Sequence, residues 1–160
     1  MTNLRVGNGY DVHELKSGYK FLLGGVEIEY TKGIVAHSDG DIVFHSISDA
    51  LLGAAAMGDI GHFFPDDDPK YKDINSLFIL NHILEKLNRL SFVIVNVDVT
   101  IVLERPKLKF YIPSIKKSVS KGLKISPSQV NIKATTSEKM GFVGREEGIV
   151  CYTTVLIEKI

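Results

Sequence analysis

The chain has 160 residues, 44% of them hydrophobic, and its 19 lysines and arginines balance 19 aspartates and glutamates. This length and composition predict one domain over residues 1–160, and the zero net charge argues against broad electrostatic binding of nucleic acid or of an anionic membrane. The single cysteine, Cys151, has no partner for an intrachain disulfide, which favours a reducing compartment and a buried thiol.

Hydrophobic patterning predicts strands and two helices in the first half of the chain. Residues 4–13 form a strand, and residues 21–23 and 26–29 form two short strands joined by a turn at Gly24 and Gly25. Apolar residues at helical spacing predict a helix over residues 41–57, and glycines and prolines predict an irregular loop over residues 58–73. Residues 76–89 form a second, amphipathic helix.

In the second half of the chain, the residue pattern predicts three strands and a third helix. Residues 92–103 are a β-branched run that suits a central strand, followed by a helix over residues 109–122, a helical turn over 127–129, and strands over 130–134 and 148–157. This order predicts an α+β sandwich of a mixed sheet with helices on one face. Because no second helical layer covers the other face, a homo-oligomer that packs sheet against sheet is expected.

Asp11, His13 and His45 form a candidate metal site. Asp11 and His13 lie two residues apart on a strand, so their side chains project from the same face. His45, in the first turns of the next helix, supplies a third ligand, and one carboxylate with two imidazoles suits zinc and leaves a tetrahedral position open for substrate. Asp41, His45 and Asp49 share a helix face that is expected to point at the metal. Asp49 is either a hydrogen-bond acceptor for His45 or a solvated helix residue.

The polar segment between the last two strands, residues 135–147, is a second candidate site. It offers hydroxyls, glycine backbone N–H groups, two cations and the carboxylate of Glu138, all of which can hold phosphates or a metal ion. The alternative from composition alone is a long polar hairpin loop.

Ten short motifs spread along nearly the whole chain carry a family resemblance. They are Gly9-Tyr10-Asp11-Val12-His13, Leu23-Gly24-Gly25-Val26, Ala36-His37-Ser38-Asp39-Gly40-Asp41, Asp49-Ala50-Leu51-Leu52-Gly53-Ala54, Gly58-Asp59-Ile60-Gly61, Phe64-Pro65-Asp66, Asn96-Val97-Asp98, Lys133-Ala134-Thr135-Thr136, Glu138-Lys139-Met140-Gly141-Phe142 and Gly144-Arg145-Glu146-Glu147-Gly148. As a set, they resemble the 2-C-methyl-D-erythritol 2,4-cyclodiphosphate synthase family of the non-mevalonate isoprenoid pathway.

The resemblance implies a homotrimer whose sheets pack around a threefold axis, with each active site between neighbouring subunits. It implies a phosphorus–oxygen lyase in which 4-diphosphocytidyl-2-C-methyl-D-erythritol 2-phosphate cyclises to 2-C-methyl-D-erythritol 2,4-cyclodiphosphate and releases CMP. Zinc (Zn2+) would bind Asp11, His13 and His45, and a second ion, Mg2+ or Mn2+, would bind Glu138 and the substrate phosphates.

The resemblance also implies roles for other residues. His37 and Thr136 correspond to the pair that stabilises the transition state, and Ser38 to a contact of the methylerythritol phosphate. The positions that hold the methylerythritol part are Asp59, Ile60, Gly61, Phe64, Pro65, Asp66, Asp67 and Asp68. The cytidine pocket would be formed by Leu103, Glu104, Arg105, Pro106, Lys107, Leu108, Lys109, Ala134, Thr135 and Thr136 of the adjacent subunit. Ser137 and Phe142 are further substrate-binding positions. Arg145 and Glu147 match positions near the threefold axis, where some relatives hold an isoprenoid diphosphate.

Two pairs of residues differ from the common family pattern, and two other classes of function are compatible with the sequence. Glu104 and Arg105 stand where small or amide residues are common in the family, and His62 and Phe63 replace the usual basic or aliphatic residues. A zinc hydrolase would use the same three ligands, and a noncatalytic trimer could bind an isoprenoid diphosphate without turnover. The N-terminus has no leader pattern and no apolar run approaches about 18 residues, so a bacterial cytoplasmic protein, or a mature plastid one, is expected.

Overall fold

The computed structural model describes residues 3–65 and 74–160. Its strands and helices follow one another along the chain as β1 (Leu4–Ser17), β2 (Leu22–Leu23), β3 (Val26–Glu27), β4 (Lys32–Ile34), α1 (Ile42–Ala54), α2 (Ile60–Phe63), α3 (Ser76–Arg89), β5 (Phe92–Val102), α4 (Ile112–Leu123), a 3-10 turn (Pro127–Gln129), β6 (Val130–Thr135), α5 (Gly141–Gly144) and β7 (Gly148–Lys159).

Five strands form one mixed sheet in the order β4-β1-β7-β5-β6. β7 is central and antiparallel to both β1 and β5, whereas β5 and β6 run parallel. The antiparallel register pairs Asp11 with Cys151 and His13 with Ile149. β2 and β3 form a separate hairpin, in which Gly24 and Gly25 take the positive φ angles that the tight turn requires.

The three long helices α1, α3 and α4 lie on one face of the sheet. α1 packs on β1 and β7, α4 on β6, and α3 against both helices. At every second position along the strands, a buried apolar side chain packs against the helices. Examples are Val99, Ile101, Ile149 and Val155. The opposite face carries exposed apolar side chains, including Tyr10 and Tyr152, whose rings contact each other. The predicted α+β class with helices on one face is confirmed.

Local signals explain where the helices begin. The carboxylate of Asp41 accepts the N–H groups of Val43 and Phe44 at the start of α1, and the Asn75 side chain accepts the N–H of Leu77 at the start of α3. α3 has the predicted bounds, and α4 begins three residues later than expected, at the turn that contains Pro113.

Several elements differ from the sequence predictions. β1 continues four residues past His13, because β4, which was not predicted, pairs with its end through Leu15 and Ile34. The described part of the loop over residues 58–73 contains the one-turn helix α2, and the loop over 135–147 contains α5. Such single turns are too short to show a hydrophobic period in the sequence. Among the helices that the structure describes, none is long and apolar enough to cross a bilayer.

Candidate active site

Asp11, His13 and His45 converge at one end of the sheet. Asp11 and His13 project from the helix-covered face of β1, and His45 reaches them from the first turn of α1. Asp11 Oδ2 lies 3.1 Å from His13 Nε2 and 3.3 Å from His45 Nδ1, and the three potential ligand atoms all lie within 4.8 Å of one another. The side chains are 15–21% exposed, so a bound ion would be open to solvent on one side only.

This geometry fits a tetrahedral metal ion. Bonds of about 2.0–2.1 Å to zinc place neighbouring ligand atoms about 3.3 Å apart, which matches the separations of Asp11 Oδ2 from the two imidazole nitrogens. One carboxylate and two imidazoles would fill three positions of a tetrahedral ion and leave a fourth open for an oxygen ligand. A metal ion bound by these three residues could therefore act as a Lewis acid.

Each imidazole has a partner for its second nitrogen. His13 Nδ1 lies 3.1 Å from the backbone carbonyl oxygen of Val35, and His45 Nε2 lies 2.9 Å from Ser76 Oγ and 3.4 Å from Ser38 Oγ. The alternative in which Asp49 accepts a hydrogen bond from His45 is wrong. Asp49 Oδ1 instead accepts the N–H of Ile60 and so holds the start of α2 against α1.

The carboxylate and the imidazoles of the cluster shift the pKa values of one another. Burial alone would raise the pKa of Asp11, but hydrogen bonds from His13 and His45 and their positive charges lower it to about 2. Burial lowers the pKa of His13, but the hydrogen bond and the negative charge of Asp11 outweigh this and raise it above its usual value. Asp11 is thus an ionised ligand at neutral pH, and a proton competes with a metal ion for His13.

Two glycines of β1 allow α1 to come close enough for His45 to reach the cluster. A Cβ atom on Gly9 would lie 1.8 Å from the carbonyl oxygen of Ser46, and one on Gly7 would lie 1.9 Å from that of Ala50. Both contacts are far inside van der Waals separation, so only glycine permits this approach of strand and helix. The spacing of Gly7, Gly9 and Asp11 at every second position of β1 is the sequence signal for this close approach.

Asp41 does not face the metal cluster, contrary to the prediction that it shares the metal-facing side of the helix with His45. Its carboxylate is buried and accepts the N–H groups of Gly24 and Gly25 as well as those at the start of α1. As the residue that caps the helix, it lies outside the regular helical positions on which that prediction relied. Burial raises its pKa despite these hydrogen bonds.

A cavity of about 320 Å³ lies where β5 and β6 end. Most residues predicted for cytidine binding line it, and Ile112, which was not predicted, does so too. The lining residues are Leu103, Pro106, Lys107, Leu108, Lys109, Ile112, Ala134, Thr135 and Thr136. The volume is within the range of small-molecule sites.

Glu104 and Arg105 do not line this cavity, and their charged ends make other contacts. Glu104 Oε1 accepts the N–H of Ser137 at 2.9 Å and that of Lys139 at 3.1 Å, and Arg105 Nε lies 3.6 Å from Glu146. The carboxylate of Glu104 therefore holds the loop that follows β6. Inside this loop Glu138 and Lys139 take φ angles of 53° and 62°, and Glu138 Oε1 accepts the hydroxyl of Thr136 at 2.9 Å.

The remaining predicted residues lie outside the metal cluster and the cavity at the ends of β5 and β6. His37 is exposed, Ser38 lies beside His45, Asp59 caps α2 through the N–H of His62, and the ring of Phe64 contacts His82. Ile60 and Gly61 belong to α2, and Pro65 ends the described segment. Asp66, Asp67 and Asp68 lie outside the described residues. Phe142 is 40% exposed, and Arg145 makes a two-point ion pair with Glu147.

Comparison with known proteins identifies the family. The model of the YgbB family matches residues 4–158. A 2-C-methyl-D-erythritol 2,4-cyclodiphosphate synthase from Dehalococcoides mccartyi is 50% identical over 98% of this chain and 99% of its own length, and one from Bacillus subtilis is 47% identical over 97% and 98%.

The chain belongs to the 2-C-methyl-D-erythritol 2,4-cyclodiphosphate synthase family. Solved structures agree: IspF from Plasmodium falciparum in complex with CDP matches with a TM-score of 0.88 and 34% identity over 99% of this chain and 98% of that one. The bifunctional IspDF from Campylobacter jejuni matches with a TM-score of 0.95 and 39% identity, and this chain, covered completely, spans 43% of its length.

Family membership confirms the resemblance found in the motifs. It also confirms the predicted class of enzyme, a phosphorus–oxygen lyase of isoprenoid biosynthesis. The grouping of Asp11, His13 and His45 confirms that the predicted ligands can bind a metal ion. The roles of the individual residues stay predictions.

Proposed function

We propose that this chain, as a single catalytic domain over residues 1–160, forms a homotrimer that converts 4-diphosphocytidyl-2-C-methyl-D-erythritol 2-phosphate into 2-C-methyl-D-erythritol 2,4-cyclodiphosphate and CMP. The observation that carries the proposal is the triangle of ligand atoms from Asp11, His13 and His45, at distances that suit a tetrahedral ion, in a member of this synthase family. The bacterial relatives support a bacterial cytoplasmic location rather than a plastid one.

Asp11, His13 and His45 would hold zinc. The donor set favours Zn2+ over magnesium or calcium, because those harder ions prefer oxygen ligands. When bound, zinc would polarise a phosphate oxygen of the substrate and neutralise part of its charge. The residues themselves contribute an ionised carboxylate and two oriented imidazoles.

Glu138 would hold a second divalent ion, Mg2+ or Mn2+, together with the phosphates of the substrate. Its carboxylate is exposed, and one oxygen already accepts the hydroxyl of Thr136. The backbone conformation of Glu138 and Lys139 and the anchor at Glu104 give the loop a fixed shape. Hard oxygen ligands on a pre-shaped loop suit such an ion.

The cavity beyond β5 and β6 would bind the cytidine. CDP complexes of relatives support this assignment, and the cavity offers backbone groups and the cation of Lys107. His37 and Thr136 would stabilise the transition state, and Ser38 would contact the methylerythritol phosphate. Asp59, Ile60, Gly61, Phe64 and Pro65, with the undescribed Asp66, Asp67 and Asp68, would surround the methylerythritol part.

The metal cluster and this cavity lie far apart within one chain, which supports a site shared between subunits. Register places Val12 of β1 and Thr135 of β6 in one row across β7 and β5, three strand spacings or roughly 14 Å apart. The uncovered sheet face, with Tyr10 and Tyr152, would pack around a threefold axis and bring the cluster of one subunit to the cavity of the next. Arg145 and Glu147 would lie near that axis, where an isoprenoid diphosphate could bind.

The reaction needs no nucleophile from the protein. An oxygen of the 2-phosphate of the substrate attacks the β-phosphorus, the bond from that phosphorus to the α-phosphate oxygen breaks, and CMP leaves with the electron pair. Such phosphoryl transfer depends on positioning and on charge neutralisation. The task of the chain is therefore to fold the substrate on itself and to exclude water, because hydrolysis would compete with cyclisation.

Metal analysis combined with a CMP-release assay in ¹⁸O-labelled water tests the proposal. We expect about one tightly bound zinc per chain and a cyclic product without solvent oxygen. A zinc hydrolase would incorporate the label, and a noncatalytic binder of isoprenoid diphosphates would release no CMP with both metals present.

His45→Ala is the matching variant. It should lose the tightly bound zinc and nearly all CMP release while keeping the oligomeric state of the unmodified chain, measured by light scattering. His82→Ala is the control for zinc content, since His82 is not part of the cluster and packs against Phe63 and Phe64. Full turnover by His45→Ala at normal metal content would contradict the proposal.

A further inference from the structure

The second nitrogen of His45 meets a hydroxyl that is backed by a carboxylate. Ser76 Oγ, 2.9 Å from His45 Nε2, belongs to the first residue of α3 and is fully buried. The same hydroxyl donates to Asp39 Oδ1 in a short hydrogen bond, and the N–H of Ser76 donates to Asp39 Oδ2 at 3.0 Å. Asp39, Ser76 and His45 thus form a continuous chain of hydrogen bonds.

The carboxylate of Asp39 decides the donor and the acceptor in each of these hydrogen bonds. A serine hydroxyl has one proton and can either donate to an imidazole nitrogen or accept from it, whereas an ionised carboxylate can only accept. Because the proton of Ser76 is directed at Asp39, its lone pairs face His45, and Nε2 must carry the hydrogen. In the neutral imidazole that a metal ion would bind, the lone pair then lies on Nδ1, the atom that is 3.3 Å from Asp11 Oδ2.

For His13, a single backbone carbonyl oxygen fixes the tautomer. His13 Nδ1 donates to the carbonyl oxygen of Val35, which can only accept, so in the neutral imidazole Nε2 carries the lone pair and faces Asp11. The two imidazoles therefore present opposite ring nitrogens to the cluster. A backbone carbonyl fixes one without help, but a hydroxyl fixes the other only while Asp39 takes its proton.

We propose that Asp39 and Ser76 are positioning residues that fix the tautomer and orientation of His45 for metal binding. The inference rests on the proposed metal site at Asp11, His13 and His45. Partners of ligand imidazoles beyond the metal typically contribute a factor of about 10–100 in metal affinity. Neither residue touches the substrate or the reacting atoms in this role.

The surroundings hold the pair in place. The N–H of Asp39 donates to the carbonyl oxygen of Ile74 at 3.2 Å, so the turn before α1 and the start of α3 are bonded in both directions. Asp39 Oδ1 also accepts the N–H of Asp41. Ser38 is a weaker candidate for the partner of His45, because its Oγ is 3.4 Å away and already accepts the N–H of Gly40.

Zinc affinity, measured by chelator competition on the full chain at pH 7.5, tests the pair. Ser76→Ala should weaken binding about 10-fold or more. Asp39→Asn should weaken it similarly, because an amide N–H in place of Oδ1 would donate to Ser76 and turn its hydroxyl proton towards His45. Ser48→Ala is the matched control: it removes another buried hydroxyl, one with no hydrogen-bond partner among the described residues, and should leave the affinity unchanged.

A double variant and the unmodified chain give two further measurements. Asp39→Asn combined with Ser76→Ala should bind zinc no more weakly than Ser76→Ala alone, because Asp39 acts through the hydroxyl. In the zinc-loaded chain, nitrogen-15 NMR of histidine should find the hydrogen of His45 on Nε2. This spectrum needs no variant, so it tests the ligand atom that the inference requires even if a substitution impairs folding.

The outcomes separate the inference from the proposed function. A hydrogen on Nδ1 of His45 in the zinc-loaded chain overturns the inference. So do Ser76→Ala and Asp39→Asn variants that bind zinc as tightly as the unmodified chain while His13→Ala does not, and in that case the proposed metal site stands. If His13→Ala also binds zinc normally, the metal site itself is wrong and both proposals fall.

Discussion

The metal cluster and the Glu138 loop, residues 136–139, are built in opposite ways. The cluster is half-buried and depends on the close approach of α1 to β1 over Gly7 and Gly9. The loop is largely exposed and depends on one side chain, Glu104, which accepts two of its backbone N–H groups. Steric changes should therefore damage the first region most, whereas the second region should be sensitive mainly to the loss of a hydrogen-bond acceptor.

The largest effect should come from Gly9→Ala. The new methyl group would overlap the carbonyl oxygen of Ser46, so α1 must move and carry His45 away from Asp11. We expect a loss of about 3 kcal/mol in the free energy of unfolding. This corresponds to a fall in Tm of about 6–12 °C for a chain of this size. Bound zinc should be lost as well.

Gly53→Ala is the control for this change. Gly53 lies on the exposed side of α1, and a Cβ atom there would come no closer than 3.9 Å to Asn8. Alanine favours helix, so Tm should stay level or rise. Calorimetry and metal analysis measure both variants, and a Gly9→Ala chain with normal Tm and zinc content would show that the close approach is not required.

Acidification should weaken metal binding about tenfold for each pH unit below the raised pKa of His13, because a proton occupies the nitrogen that faces the cluster. Asp11, with a pKa of about 2, stays ionised throughout this range. The free energy of unfolding without metal should change in the opposite sense. The stabilisation of protonated His13 by Asp11 is complete below the unfolded value of 6.5 and is lost as the pH rises through the raised value.

Between pH 6.5 and the raised pKa of His13, the Tm of metal-free samples should therefore fall as the pH rises, whereas the Tm of metal-loaded samples should stay level because the gain in metal affinity offsets this loss. Calorimetry in a series of buffers measures both, and the single variant His13→Ala, which lacks the titrating group, is the control. Parallel slopes for the two samples would be inconsistent with competition between a proton and the metal at His13.

In the Glu138 loop, Glu104→Ala should weaken the apparent affinity for the second divalent ion about tenfold. Without the carboxylate, the N–H groups of Ser137 and Lys139 lose their acceptor, and the left-handed conformation of Glu138 loses its support. Glu104→Gln keeps an acceptor oxygen and should lose less. The Mg2+ dependence of CMP release by zinc-loaded enzyme measures this.

Glu85→Ala, on the exposed face of α3, is the control for loss of a surface carboxylate. Hydrogen exchange at the amide of Lys139 gives an independent reading and should be faster in Glu104→Ala. Unchanged exchange and unchanged Mg2+ dependence in that variant would mean that Glu104 does not hold the loop.

The smallest effect should come from Ser48→Ala, near the buried region. Ser48 Oγ is buried and has no hydrogen-bond partner among the described residues, so its removal relieves an unsatisfied polar group. We expect stability to stay within about 1 kcal/mol of the unmodified chain or to increase. A large decrease in Tm would indicate that the hydroxyl has a partner, such as a buried water.

The sequence alone determined the class of fold and the three candidate metal ligands. Hydrophobic periodicity is a local property, so it gave the long elements α3 and β5 close to their observed bounds. Asp11 and His13 could be paired because a strand places residues two apart on one face. The motif set, which extends along nearly the whole chain, indicated the family.

Tertiary structure decided what depends on segments far apart in the chain. The pairing of Leu15 with Ile34 created β4, and contact between the turn before α1 and the start of α3 placed Ser76, rather than Asp49, beside His45. Helical spacing put Asp41 and Asp49 on the same side as His45, but hydrogen bonds to Gly24, Gly25 and Ile60 gave both carboxylates other partners. Spacing along a helix fixes direction, whereas hydrogen bonds follow from whichever distant backbone groups packing brings near.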